Sequence, residues 1–222
     1  MSLVWSVIIS TGETFAVFML MFALFRHKWN TVQALHVSYY GFLMSIVSYF
    51  MREVWDLTSY DPILQMLFMF IFIRITYKMK WISIGIVEVS TYILYTILQF
   101  VVLLLLRYVH VILPTDSLLP TSTSGMILQL ASIIVVTIIV RLMKWRQMGF
   151  TFISFHPWNR YKIANQKKLV MTLTSASGML LLIMFLTLSN FEFVNEFVLL
   201  LLLISFIILI RASYVIERVD ND

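Results

Sequence analysis

Seven long apolar runs, separated by short polar stretches, dominate the hydropathy pattern of the chain. They span Val4 to Phe25, Val32 to Met51, Pro62 to Tyr77, Trp81 to Leu106, Ser124 to Met143, Leu169 to Leu188 and Phe193 to Ala212. A helix rises about 1.5 Å per residue, so about 20 apolar residues cross the hydrocarbon core of a bilayer. The runs lack the polar and apolar alternation of barrel strands, so they predict helices. The expected fold class is therefore all-α, a polytopic membrane helix bundle of about seven transmembrane helices. The third run is the shortest and carries Arg74; a six-span arrangement that omits it is the alternative. The first run has no basic leading segment and carries its positive charges after the apolar stretch, which predicts a retained span rather than a cleaved signal.

Lysine and arginine in short loops stay on the cytoplasmic side, and their distribution orients the runs. Arg26, Lys28, Lys78, Lys80, Lys144, Arg146, Arg160, Lys162, Lys167, Lys168 and Arg218 fall on one side. Arg52 and Arg107 fall on the other, with Glu53, Asp56, Asp61, Asp116, Glu192 and Glu196. Seven spans alternate consistently with the N-terminus outside and the C-terminus inside. The domain reading is a transmembrane bundle over residues 1–213, with 144–168 as a basic, aromatic cytoplasmic interfacial loop and 214–222 as a short cytoplasmic tail. The expected location is a bacterial-type cytoplasmic membrane, crossed several times.

Composition agrees with this picture. Apolar residues make up 61% of the chain and charged residues 12%, against nearly half and about a quarter in soluble domains. The net charge of +5 stands in clusters between apolar runs, where it reports membrane orientation rather than nucleic-acid binding. There is no cysteine, which removes disulfides, thiolate metal sites and cysteine nucleophiles. His27, His36, His110 and His156 lie in different segments without metal-ligand spacing, so neither a metal nor a cofactor is expected. No serine-hydrolase motif, intramembrane aspartate pair or phosphate loop accompanies the Ser and Thr residues, and no catalytic residue is assigned.

Two carboxylates, Glu13 and Glu88, stand inside apolar runs, where an ionisable group demands a partner or a role. The turn Lys78 to Lys80 makes the third and fourth runs antiparallel neighbours, which predicts an ion pair between Arg74 and Glu88 unless Arg74 turns to the inner headgroups. Glu13, near Thr11 and Thr14, is either a structural residue or part of a ligand pocket. Arg52, Glu53, Trp55, Asp56 and Tyr60 form a candidate outer ligand rim, for which a solvated loop is the plainer reading. Trp145, Arg146, Trp158, Arg160 and Lys162 form a candidate cytoplasmic docking surface, alternatively an interfacial anchor.

The basic hairpin Tyr77, Lys78, Met79, Lys80 and Trp81, and the inward exit of the last run through Arg211 to Arg218, give the layout a family likeness. It resembles the membrane sensor region of accessory-gene-regulator type peptide-pheromone receptor histidine kinases. The resemblance implies ligand sensing without kinase activity in these residues, because neither a phosphoacceptor histidine nor an ATP-binding motif is present. The leading expectation is a membrane sensor that detects an extracellular peptide or small ligand and signals to a cytoplasmic partner. A subunit of a larger membrane complex, of exporter or immunity type, is the alternative; an ion or small-solute carrier using Glu13 and Glu88 is the third. Its partners are the lipid bilayer and a membrane or cytoplasmic protein, and a homodimer is compatible with either of the first two readings.

Overall fold

The structure, a computed structural model, describes residues 3–28, 30–55, 57, 60–113, 115–116, 122–150, 204 and 207. Within these residues the chain forms α1 Leu3–Leu24, α2 Thr31–Glu53, α3 Asp61–Tyr77, α4 Trp81–Tyr108 and α5 Thr123–Trp145. These coincide with the first five apolar runs to within two residues at each end. The sixth and seventh runs, apart from Ile204 and Ile207, lie outside the described residues, as do segment 151–168 and tail 214–222. Among the described residues four helices, α1, α2, α4 and α5, are long and apolar enough to cross a membrane. At 17 residues α3 reaches about 25 Å, a little less than a hydrocarbon core.

Local chemistry sets the helix ends. Asn30 caps α2 by accepting from the Gln33 amide, and the Gln33 side chain returns a bond to the Asn30 amide. Pro62 sits in the first turn of α3, where its missing N–H costs nothing. Ser122 caps α5 through the Gly125 amide. At the other ends Arg26, Lys78, His110 and Gln147 take left-handed conformations, and three of these four turns satisfy the final carbonyls in Schellman fashion.

α1 is the central element and packs against α2, α4 and α5, while α3 bridges α2 and α4. Its second half is almost sealed, with Phe18, Leu20, Met21 and Phe22 fully buried. Phe18 meets the stacked Tyr40 and Phe72 rings edge-on at 5.7 and 5.5 Å, which joins α1, α2 and α3. Gly41 brings α2 close to α1: a Cβ there would lie 3.4 Å from the Thr11 carbonyl and from Thr14. The approach lets the Thr11 hydroxyl bond Ser45 at 3.1 Å.

Large apolar side chains line the outside. Ile63, Leu67, Ile71 and Ile75 repeat every fourth residue along α3, and Leu130, Ile134, Ile138 and Leu142 do so along α5. All eight are exposed among the described residues, a surface suited to hydrocarbon.

At the end of the bundle holding Arg26, Lys78 and Lys144, the chain after α5 folds back on α1. The Phe150 amide donates to the Leu24 carbonyl at 2.7 Å, the Phe25 and Phe150 rings lie 6.0 Å apart, and Arg26 donates to the Gln147 carbonyl. Gly149, at φ +134°, permits this contact, since a Cβ there would stand 2.7 Å from the Ala23 carbonyl oxygen.

Candidate functional site

Midway along α1, the Glu13 carboxylate is held by two other helices. Its Oε1 accepts from the Tyr95 hydroxyl at 2.5 Å and from Gln99 Nε2 at 3.3 Å, both on α4. Its Oε2 accepts from Gln129 Nε2 of α5 at 2.7 Å. Tyr95 and Gln99 stand four residues apart, so one face of α4 presents both donors to the same oxygen. Glu13 is half-buried. All three donors are neutral, and among the described residues the carboxylate makes no ion pair. On α5, Gln129 Oε1 and the Oγ of Ser132, one turn along, are buried without hydrogen-bond partners.

The expected Arg74–Glu88 ion pair does not form. Arg74 donates instead to the Met79 carbonyl, and its guanidinium lies 5.0 Å above the Trp81 ring. Depth explains the correction. Arg74 is three residues from the end of α3 and reaches the turn, whereas Glu88 lies seven residues, about 10 Å, into α4. Glu88 is 3% exposed, and its Oε1 has no hydrogen-bond partner. Together Glu88, Tyr92, Tyr95 and Gln99 mark a polar stripe on α4, at spacings that keep one helical face. Hydropathy alone marks none of Tyr95, Gln99, Gln129 and Ser132; the helical spacing of Tyr95 and Gln99 with Glu88 is legible in the sequence, whereas nothing comparable points to Gln129 and Ser132 on α5.

At the opposite end from the basic turns, Arg52 pairs with Asp61, the first residue of α3. Arg52 Nε donates to Asp61 Oδ2 at 2.6 Å, and the same oxygen accepts from Ser48 at 2.9 Å and Gln65 at 3.1 Å. Asp61 is 1% exposed, so a charge expected in an outer loop is buried between α2 and α3. Glu53, Trp55 and Tyr60 stand exposed around it, while Asp56 lies outside the described residues. Of the candidate rim, then, Arg52 is committed to the fold and the other described members face outward.

On the basic end, Trp145 and Arg146 are both exposed, and the Arg146 guanidinium lies 5.0 Å from the Trp145 ring. Trp158, Arg160 and Lys162 lie outside the described residues. Comparison with known protein families, characterised proteins and solved structures finds no match to this chain.

Proposed function

We propose that the chain is a sensor module of a bacterial-type cell membrane, crossing it seven times with the N-terminus outside and the C-terminus inside. The observation that carries this reading is the Arg52–Asp61 pair beneath the exposed Trp55 and Tyr60. It ties α2 to α3 at the rim, and α2 is tied to α1 one to two turns deeper through Ser45 and Thr11. A ligand carboxylate, such as a peptide C-terminus, competes with Asp61 for Arg52 and releases α3 from α2. Such a contact gives the ligand the differential affinity between two packings that signalling requires. The resemblance to peptide-pheromone receptors and the clustering of basic turns at one end support the same reading.

Two measurements test it. Single cysteines introduced into this cysteine-free chain report threading: impermeant maleimide added to intact cells should label position 60 and spare position 80. Purified protein in nanodiscs should bind a component of the peptide fraction of conditioned medium saturably, and Arg52→Gln should weaken that binding. Labelling at position 80 from outside removes the threading; no saturable binding with a stoichiometric membrane partner co-purifying removes the lone receptor in favour of a complex subunit. The α4 stripe that runs from Glu88 to Gln99 favours a second reading, an ion carrier, for which flux in proteoliposomes abolished by Glu88→Gln is the test.

A further inference from the structure

We propose that Glu13, Tyr95, Gln99, Gln129 and Ser132 form a sodium-ion site between α1, α4 and α5. The inference depends on the placement of these helices and not on the sensor reading. Glu13 brings a formal negative charge into the apolar bundle, and its three bonded partners supply no positive charge. Of the arginines at the outer end among the described residues, Arg52 is paired with Asp61 and Arg107 makes no ion pair with Glu13. An intramembrane carboxylate in this situation calls for a counter-ion or a proton.

A proton would satisfy the charge and leave the rest of the cluster unexplained. Gln129 Oε1 and Ser132 Oγ are buried acceptor oxygens with nothing bonded to them, on the face of α5 that already contacts Glu13. Buried polar atoms without partners are uncommon, and two within one turn of α5, one of them on the residue that bonds Glu13, point to a ligand that uses oxygens. The Tyr95 oxygen and, after rotation of its amide, the Gln99 carbonyl complete an all-oxygen set. Such a set suits a hard cation. One carboxylate matches a single positive charge, whereas calcium sites gather six to eight oxygens. The close contact of α1 with α5 favours the smaller alkali ion: a Cβ on Gly12 would stand 3.3 Å from Ile133 Cδ1. Histidine spacing, which argued against a transition metal, has no bearing on an alkali ion.

The test uses the whole protein in nanodiscs and dicyclohexylcarbodiimide, which modifies protonated carboxyls in apolar surroundings. Modification of Glu13 and Glu88 is followed by peptide mass spectrometry at fixed pH and ionic strength in NaCl, KCl or choline chloride. Sodium should slow labelling of Glu13 about tenfold when present at ten times its dissociation constant, by simple occupancy. Glu88, which shares none of Glu13's hydrogen-bond partners, should label at the same rate in all three salts. Sodium should also raise the melting temperature of the wild type, and Ser132→Ala should shift the protective concentration upward. Equal Glu13 labelling in sodium and choline overturns the site in favour of a proton alone. Equal protection by potassium overturns the assignment to sodium, and parallel protection of Glu88 shows a general salt effect and overturns it too.

Discussion

Replacing Asp61 with Ala would remove the single oxygen on which Arg52, Ser48 and Gln65 converge. The Arg52 side chain is 15% exposed and the Asp61 side chain 2%, so water does little to screen the pair. Removing one member of a buried pair leaves the other charge uncompensated, at a cost of about 3 kcal/mol or more. Hydrogen bonds to a charged acceptor contribute about 1.5–3 kcal/mol each on their own, which gives the same order. Asp61→Ala should therefore destabilise the bundle by about 3 kcal/mol, and Arg52→Gln by a comparable amount. Because both lose the same interaction, the double variant should cost less than the sum, with a coupling energy of about 1.5 kcal/mol or more. Reversible unfolding of the purified protein in mixed micelles with rising SDS, followed by tryptophan fluorescence, measures all four corners of the cycle. Additivity to within about 0.5 kcal/mol would show that the pair is an incidental contact, and the energetic reasoning about the rim would fail with it.

Three further outcomes separate tight positions from open ones. Gly85→Ala should be neutral or stabilise by up to about 1 kcal/mol, because a Cβ there meets nothing within 4 Å and alanine is the better helix former; unfolding in SDS reads the sign. Gly149→Ala should cost about 1–3 kcal/mol, since the new Cβ would strike the Ala23 and Leu24 carbonyl oxygens at 2.7 and 2.9 Å, and hydrogen exchange at the Phe150 amide should rise with it. Gly41→Leu should separate α2 from α1 and lower the melting temperature, whereas Gly41→Ala, with its nearest contacts at 3.4 Å, should be close to wild type.

The bilayer makes some of this architecture readable from sequence and hides the rest. Hydrocarbon thickness fixes span length, so the first five helices follow from hydropathy to within a turn, and caps such as Asn30 with Gln33 sharpen their ends. Which helices touch is another matter, because the described helices are all apolar and lateral order leaves little trace in composition. Glu13 stood out as a lone carboxylate, yet its partners lie 82, 86 and 116 residues away. The Arg74–Glu88 expectation failed for a related reason: adjacency of α3 and α4 was right, but a long side chain near a helix end turns to the nearest carbonyl and ring rather than one helix turn deeper. Asp61 looked like a solvated loop residue because the loop before α3 is short and polar; only the meeting of α2 with α3 buries it.

The contact of Phe150 with Leu24 has a mechanical consequence. α1 is bonded to α5 through Glu13 with Gln129, and at the basic end to the segment that follows α5 through the Phe150–Leu24 and Arg26–Gln147 bonds. Two attachments at different heights suppress sliding and swivelling between these helices, so they travel as one stiff strut. A rearrangement that frees α3 from α2 at the Arg52–Asp61 pair would then leave this strut in place.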